Sequence, residues 1–133
     1  MDANQQLTGN TMDLVLLNNG EPLTTSRIVS DVFEKTHKDV LRAIDNIDCS
    51  DGFRERNFAL SSYKSKQGKT LKCVDMTRDG FSFLCMGFTG KKAAKWKEEY
   101  IRAFNQMEKG LLNIDSRMNK LQRDAKEIKH PGS

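Results

Sequence analysis

The stretch that decides the fold is "TTSRIVSDVFEKTHKDVLRAI", Thr24 to Ile44: two short amphipathic patterns on either side of Glu34, Lys35 and Thr36. Leu23 and Ile28 bracket Thr24 as a hydrophobic staple brackets a helix cap. The first helix therefore starts at Thr24 or Thr25, with Ile28, Val29, Val32 and Phe33 turned inward. Thr36 caps the second helix, and Asp39, three positions on, is placed to return a bond to the cap's backbone amide. Val40, Leu41, Ile44 and Ile47 form its core face. At about 100° per residue, Lys38, Arg42 and Asp45 fall opposite that stripe and Asn46 at its flank, where they face solvent or a ligand. His37 phases nearer the apolar side and reads as a packed or capping residue.

Outward from this pair, "DLVLL" (Asp13 to Leu17) reads as a short strand and "NNGE" as a turn leading into the first helix. Downstream, "SDGFRERNF" is a third short helix. "FALSSY" and "TLKCVDM" are strands of a hairpin joined by "KSKQGK", with Gly68 supplying the turn. Thr77 caps a helix carrying Phe81, Leu84, Cys85 and Phe88 at helical spacing, and Gly87 with Gly90 break it before the last element.

Two groups of basic residues bear on function. Between Ser61 and Val74 stand Lys64, Lys66, Lys69 and Lys72 with no acid among them. Like charges on a two-stranded ribbon repel, so the arrangement costs stability unless an anion compensates, although edge lysines also guard sheets against aggregation. A helix-turn-helix followed by a basic hairpin is the layout of a winged-helix DNA-binding domain. In that reading Lys38 and Arg42 contact guanine edges or phosphates, and Asn46 pairs with adenine. Thr25, Ser26 and the helix amides hold phosphates, with Arg27 and Lys35 flanking the surface. Two features oppose it: the turn lacks the glycine often found between such helices, and Asp45 would repel a phosphate. The second basic group opens "TGKKAAKWKEEYIR", where Lys91 and Lys92 oppose the helix dipole and Thr89 and Gly90 leave room for an anion. It is not a nucleotide P-loop, because Lys91 is followed by Lys92 rather than Ser or Thr. Trp96, one turn before Tyr100, reads as core.

From Tyr100 the apolar residues Phe104, Met107, Leu111, Ile114, Met118, Leu121, Ala125 and Ile128 recur in alternating steps of four and three. This predicts a coiled-coil seam that joins two copies, against the alternative of a long helix folded along its own domain. Gly110 lies inside the seam and marks a bend where the domain ends. The expected division is a disordered start over 1–12, a domain over 13–108 and a dimerising helix over 109–130.

A chain of 133 residues holds one ordinary domain. No apolar run is long enough to span a membrane, and "MDANQQLTGN" lacks the features of a secretory signal, so a cytoplasmic protein is expected. Cys49, Cys73 and Cys85 are far apart and form no C-x-x-C pair, and His37 and His130 add no metal-ligand spacing. No cofactor, metal or catalytic arrangement is expected. The carboxylates of Glu98, Glu99, Asp75 and Asp79 sit among lysines and arginines as a solvated surface would. A net charge of +4 suits a polyanion partner.

"TSRIVSDVFEKTHKDVLRAIDNI", "NFALSSY" and above all "MTRDGFSFLCMGFTGKKAAKWKEEYIRAFNQME" closely resemble the Rha family of phage regulatory proteins, from about Asp13 to about Glu108. The resemblance implies a phage or prophage regulator acting in a bacterial cytoplasm and associated with phage growth in hosts lacking integration host factor. More distantly it is similar to the small DNA-binding modules at the N-termini of phage antirepressors. Relatives often carry a further C-terminal domain, which leaves open a short member or part of a longer protein. The family supplies no residue roles. Residues and resemblance together predict an α+β winged-helix-like domain with a dimerising C-terminal helix, binding duplex DNA as a transcriptional regulator. The rival is an antirepressor-type module that captures a phage or host regulatory protein. RNA binding lacks exposed aromatics on a sheet and is least favoured.

Overall fold

A computed structural model describes the backbone of residues 14–129, and the side chains of all of these but 113–117, 119 and 121–129. The expected disordered start over 1–12 lies outside the described residues. The helix pair forms as α1 (Ser26–Val32) and α2 (His37–Asp45). The Thr25 hydroxyl accepts the Ile28 amide at 3.2 Å, and the Thr36 hydroxyl accepts the Asp39 amide at 3.1 Å. Asp39 does not close a reciprocal box: its carboxylate takes Arg42 instead, at 3.3 Å. The tight turn between the helices is held by Ser30, whose hydroxyl donates to the Lys35 carbonyl at 2.6 Å while its own carbonyl accepts the Lys35 amide at 3.0 Å. Glu34 adopts φ 55°, the left-handed conformation that glycine takes without strain, so a glutamate stands where the sequence pattern of such turns favours glycine.

Before α1 the chain forms a hairpin rather than the single strand read from the sequence. β1 (Leu16–Asn18) and β2 (Glu21–Thr25) are joined at Asn19–Gly20, both with positive φ, as a two-residue hairpin turn requires. Beyond α2 come α3 (Asp51–Asn57), β3 (Phe58–Lys64), β4 (Thr70–Met76) and α4 (Arg78–Cys85), capped by Ser50 and Thr77. The four strands make one antiparallel sheet in the order β1-β2-β4-β3. The strand leading into α1 is thereby bonded to the return strand of the basic hairpin, through Thr24 opposite Met76 and Thr25 opposite Asp75. Arg54 of α3 donates to the carbonyls of Ile44 at 2.9 Å and Ile47 at 2.7 Å, fastening the last turn of α2.

The core gathers Val29, Val40, Ile44, Val74, Met76 and Leu84 around an aromatic cluster. Tyr100 is its hub, with ring centroids 4.1 Å from Phe81 and 6.1 Å from Phe33. Its hydroxyl bonds that of fully buried Thr24 at 2.9 Å, which satisfies both groups inside an apolar surround.

Tyr100 belongs to α5 (Lys91–Lys129), a single helix of 39 residues. Its first half covers the domain: Tyr100 and Phe104 are fully buried in the core, Trp96 and Met107 pack against it, and Leu111 is half-buried. Phe104 is therefore no dimerisation residue. The spacing of four and three is shared by a coiled-coil seam and by a helix covering its own core, and up to Leu111 the second applies. Further on, Leu112 and Met118 are exposed, while the side chains of Ile114, Leu121 and Ile128 lie outside those described. Gly110 does not interrupt the helix.

Candidate nucleic-acid interface

The exposed face of α2 looks onto a groove of about 440 Å³ whose far wall is the hairpin β3–β4. Lys38, Leu41 and Arg42 line one side and Tyr63 and Leu71 the other, with Lys72 bordering the groove from the strand without turning its side chain to that face. Lys38, Arg42, Asp45 and Asn46 are all exposed, as the helical phase requires, and Asn46 also caps α2, its amide bonding the Arg42 carbonyl at 3.0 Å. The four hairpin lysines divide. Lys64 pairs with Thr70 and Lys72 with Ser62, so strand alternation puts these two on the ribbon face opposite Tyr63 and Leu71. Lys66 and Lys69 lie in the tip, ordered by Ser65: its amide donates to the Lys69 carbonyl at 2.8 Å and its hydroxyl accepts the Lys69 amide at 3.1 Å. All four are exposed.

Of the residues assigned to phosphates, Thr25 uses its hydroxyl to cap α1. Ser26 is fully buried: its hydroxyl accepts the Val74 amide at 3.0 Å and lies 2.8 Å from His37 Nε2 and 3.5 Å from Cys73 Sγ. It joins α1, α2 and β4 from within and is withdrawn from any contact surface. His37 is packed in this junction, and burial, with the nearby Arg27 charge, holds its imidazole below the ordinary value, partly offset by Asp31.

The sequence reading missed Tyr63. Its ring lies 3.9 Å beneath the Arg27 guanidinium and meets the His37 ring edge-on at 6.0 Å. No local pattern distinguishes this tyrosine from any strand aromatic, and only the pairing of β3 with β4 brings it under α1. Arg54, which fixes α2, was likewise legible only as a charged residue of a short helix.

The second basic group sits at the other end of the helix pair. Lys35 lies over the Phe88 ring at 4.8 Å, and Lys92 pairs with the Glu34 carboxylate. A small pocket of about 100 Å³ lies between them, with Phe33, Phe88 and Trp96 among its walls. The opposition of Lys92 to the helix dipole is thus answered by a carboxylate of the chain itself. Lys91 is exposed, and Gly90 has φ 99°. Among the described residues no three His, Cys, Asp or Glu side chains gather as for a metal, and no helix is long and apolar enough to cross a membrane.

These features define a small mixed α/β protein with a basic hairpin fixed beside a helix pair and a long final helix. The sequence model of the family described as phage regulatory protein Rha matches residues 24–109, and the chain belongs to that family. Among curated proteins it is 41% identical over 97 residues to a 22.8 kDa protein from the gp15-gp3 intergenic region of Salmonella phage P22, covering 71% of this chain and 48% of that one. It is 37% identical over 93 residues to a protein of Haemophilus influenzae, covering 67% and 53%. A third relative, 36% identical over 101 residues, is a Bacillus subtilis protein whose name assigns it to the antirepressors of the SPbeta prophage, with 73% and 40% covered. The chain spans about half the length of these relatives. No solved structure matches it.

Proposed function

We propose that the chain is a phage or prophage transcriptional regulator that binds duplex DNA as a winged helix, with α2 in the major groove and the hairpin β3–β4 as the wing. The observation that carries this is the groove itself: Lys38 and Arg42 stand exposed on α2, across from a hairpin whose tip bears Lys66 and Lys69. The bond between β2 and β4 supports it, because a wing attached to the strand that enters α1 keeps a fixed place beside the helix pair. Arg42, though paired with Asp39, is 60% exposed at its side chain, so a phosphate can compete for it. Lys64, Lys72, Lys35, Lys91 and Arg27 add positive charge to the surroundings, and Lys92, paired with Glu34, adds it only in part, while the neutral Thr25 hydroxyl is taken up in capping α1. The distal half of α5 joins two copies, which present two recognition helices to a site of two-fold symmetry.

Fluorescence anisotropy with short random duplex DNA across a salt series tests the reading. Binding is expected at low salt with a steep slope, and Lys64→Ala, Lys66→Ala and Lys69→Ala together should flatten it by about 0.9 log-log units for each phosphate left without its lysine. An unchanged slope would remove the wing from the interface.

A second reading, capture of a regulatory protein in the manner the Bacillus subtilis relative's name suggests, has one observation of its own. Phe83 packs against Phe53 with ring centroids 4.4 Å apart yet stays 37% exposed, and Met86 at the end of α4 is 70% exposed. Absence of DNA binding at low salt, together with a protein partner that Phe83→Ala no longer holds, would favour it.

A further inference from the structure

Arg27 and Tyr63 come from distant parts of the chain, the first turn of α1 and the outer strand of the sheet, and meet with the guanidinium carbon 3.9 Å from the ring centre. Arg27 is otherwise exposed. The ring covers one side of the guanidinium and leaves the N–H groups directed away from the ring free to donate outward. An unstacked arginine would spread over many rotamers, each surrendered on binding a phosphate. The ring beneath it is itself held. His37 meets its edge at 71°, and His37 is tied to the buried Ser26 hydroxyl, which in turn accepts the amide of Val74 on β4. Tyr63 cannot swing from Arg27 without disturbing the first residue of α2.

We propose that Tyr63 is a positioning residue: it holds Arg27 as a preset phosphate donor beside the α2–hairpin groove. The proposal rests on the duplex-DNA reading and names how one part of that site is organised. Loss of the ring should then act through Arg27 alone.

The test is salt-titrated anisotropy on one duplex with Arg27→Ala, Tyr63→Phe, Tyr63→Leu and the double variant Arg27→Ala/Tyr63→Leu. Arg27→Ala should lower the salt slope by about 0.9. Tyr63→Leu should weaken binding by about two- to fivefold, the range of an exposed cation–π contact, whereas Tyr63→Phe keeps the ring face and should bind like the parent. The double variant should bind no more weakly than Arg27→Ala. Additive losses, or a Tyr63→Phe defect equal to that of Tyr63→Leu, overturn the proposal while leaving DNA binding intact. If the parent protein fails to bind duplex DNA, the DNA reading falls and takes the proposal with it. Should Tyr63→Leu not fold by circular dichroism, Arg27→Lys decides: it keeps the charge without the stacking plane, so parent-like binding overturns the proposal and a loss near that of Arg27→Ala upholds it.

Discussion

At the scale of single residues, the junction of Ser26 and His37 has consequences for stability against pH. The imidazole sits below its ordinary value of about 6.5 because burial, and then the Arg27 charge, disfavour the protonated ring. A depressed value means that the unfolded chain takes up the proton first as pH falls. The contribution of His37 is therefore present above about pH 6.5 and is lost as pH drops through the lowered folded value. Urea midpoints measured at about pH 7.5 and about pH 5.5 should fall, and His37→Gln should show a smaller fall over the same interval. Asp75, whose carboxyl burial pushes up, acts in the opposite sense, so the difference between parent and variant isolates the histidine. An equal fall in both proteins would place the effect elsewhere. The packed role of His37 was legible from its phase on α2. That of Ser26 was not, since the first position of a helix is exposed unless another element covers it, and here β4 does so through Val74.

At the scale of elements, the caps were the most legible feature, because a threonine before an apolar run acts on amides only two or three residues away. β2 was not: "EPLTT" contains Pro22, and its extended form depends on β1 and on β4 about fifty residues later. The Asn19–Gly20 pair was the signal that a second strand followed. Two glycines on α4 and α5 separate packing from propensity. A Cβ on Gly80 would come within 2.7 Å of the Asn57 carbonyl and 3.2 Å of the Phe58 ring, where α4 crosses the end of α3. Asn57 cannot retreat freely, because its carbonyl accepts the Thr77 amide at 3.1 Å and its side chain accepts the Thr77 hydroxyl at 2.7 Å. Gly80→Ala should thus cost about 1–3 kcal/mol. Gly110 is exposed in the middle of α5 with nothing within 4 Å of an added Cβ, so Gly110→Ala should stabilise by up to about 1 kcal/mol through helix propensity alone. Thermal or urea unfolding of both variants checks the pair, and a destabilising Gly110→Ala would mean that the helix bends there.

At the scale of the whole molecule, α5 carries one apolar stripe whose first half covers the domain core and whose distal part, in the proposed reading, pairs two copies. At about 1.5 Å per residue its 39 residues extend roughly 58 Å, more than a domain of this size needs to cover its core. The sequence pattern could not locate where the stripe leaves the core, since Phe104 and Met118 occupy equivalent steps of the same repeat. Burial separates them: Phe104 is 1% exposed and Met118 is 53% exposed. Removing the distal seam should therefore leave the domain folded and undo only the pairing of copies. Met118→Glu with Leu121→Glu places like charges on both sides of a two-stranded seam, where burial of unpaired carboxylates is strongly disfavoured. In analytical ultracentrifugation the parent is expected at twice the 15.1 kDa chain mass, and the double variant as a monomer with an unchanged circular dichroism signal from the domain. The same variant distinguishes avidity from contact. Its affinity for a single half-site should match the parent's, because α2, the hairpin and Arg27 are untouched. On a two-fold symmetric site it should lose the gain from engaging both halves at once, about a hundredfold or more where the seam holds the heads at the right spacing. Equal losses on both sites would instead mean that distal α5 supports the DNA-binding surface directly, and a parent protein that sediments as a monomer would leave the stripe beyond Leu111 to a partner of another kind.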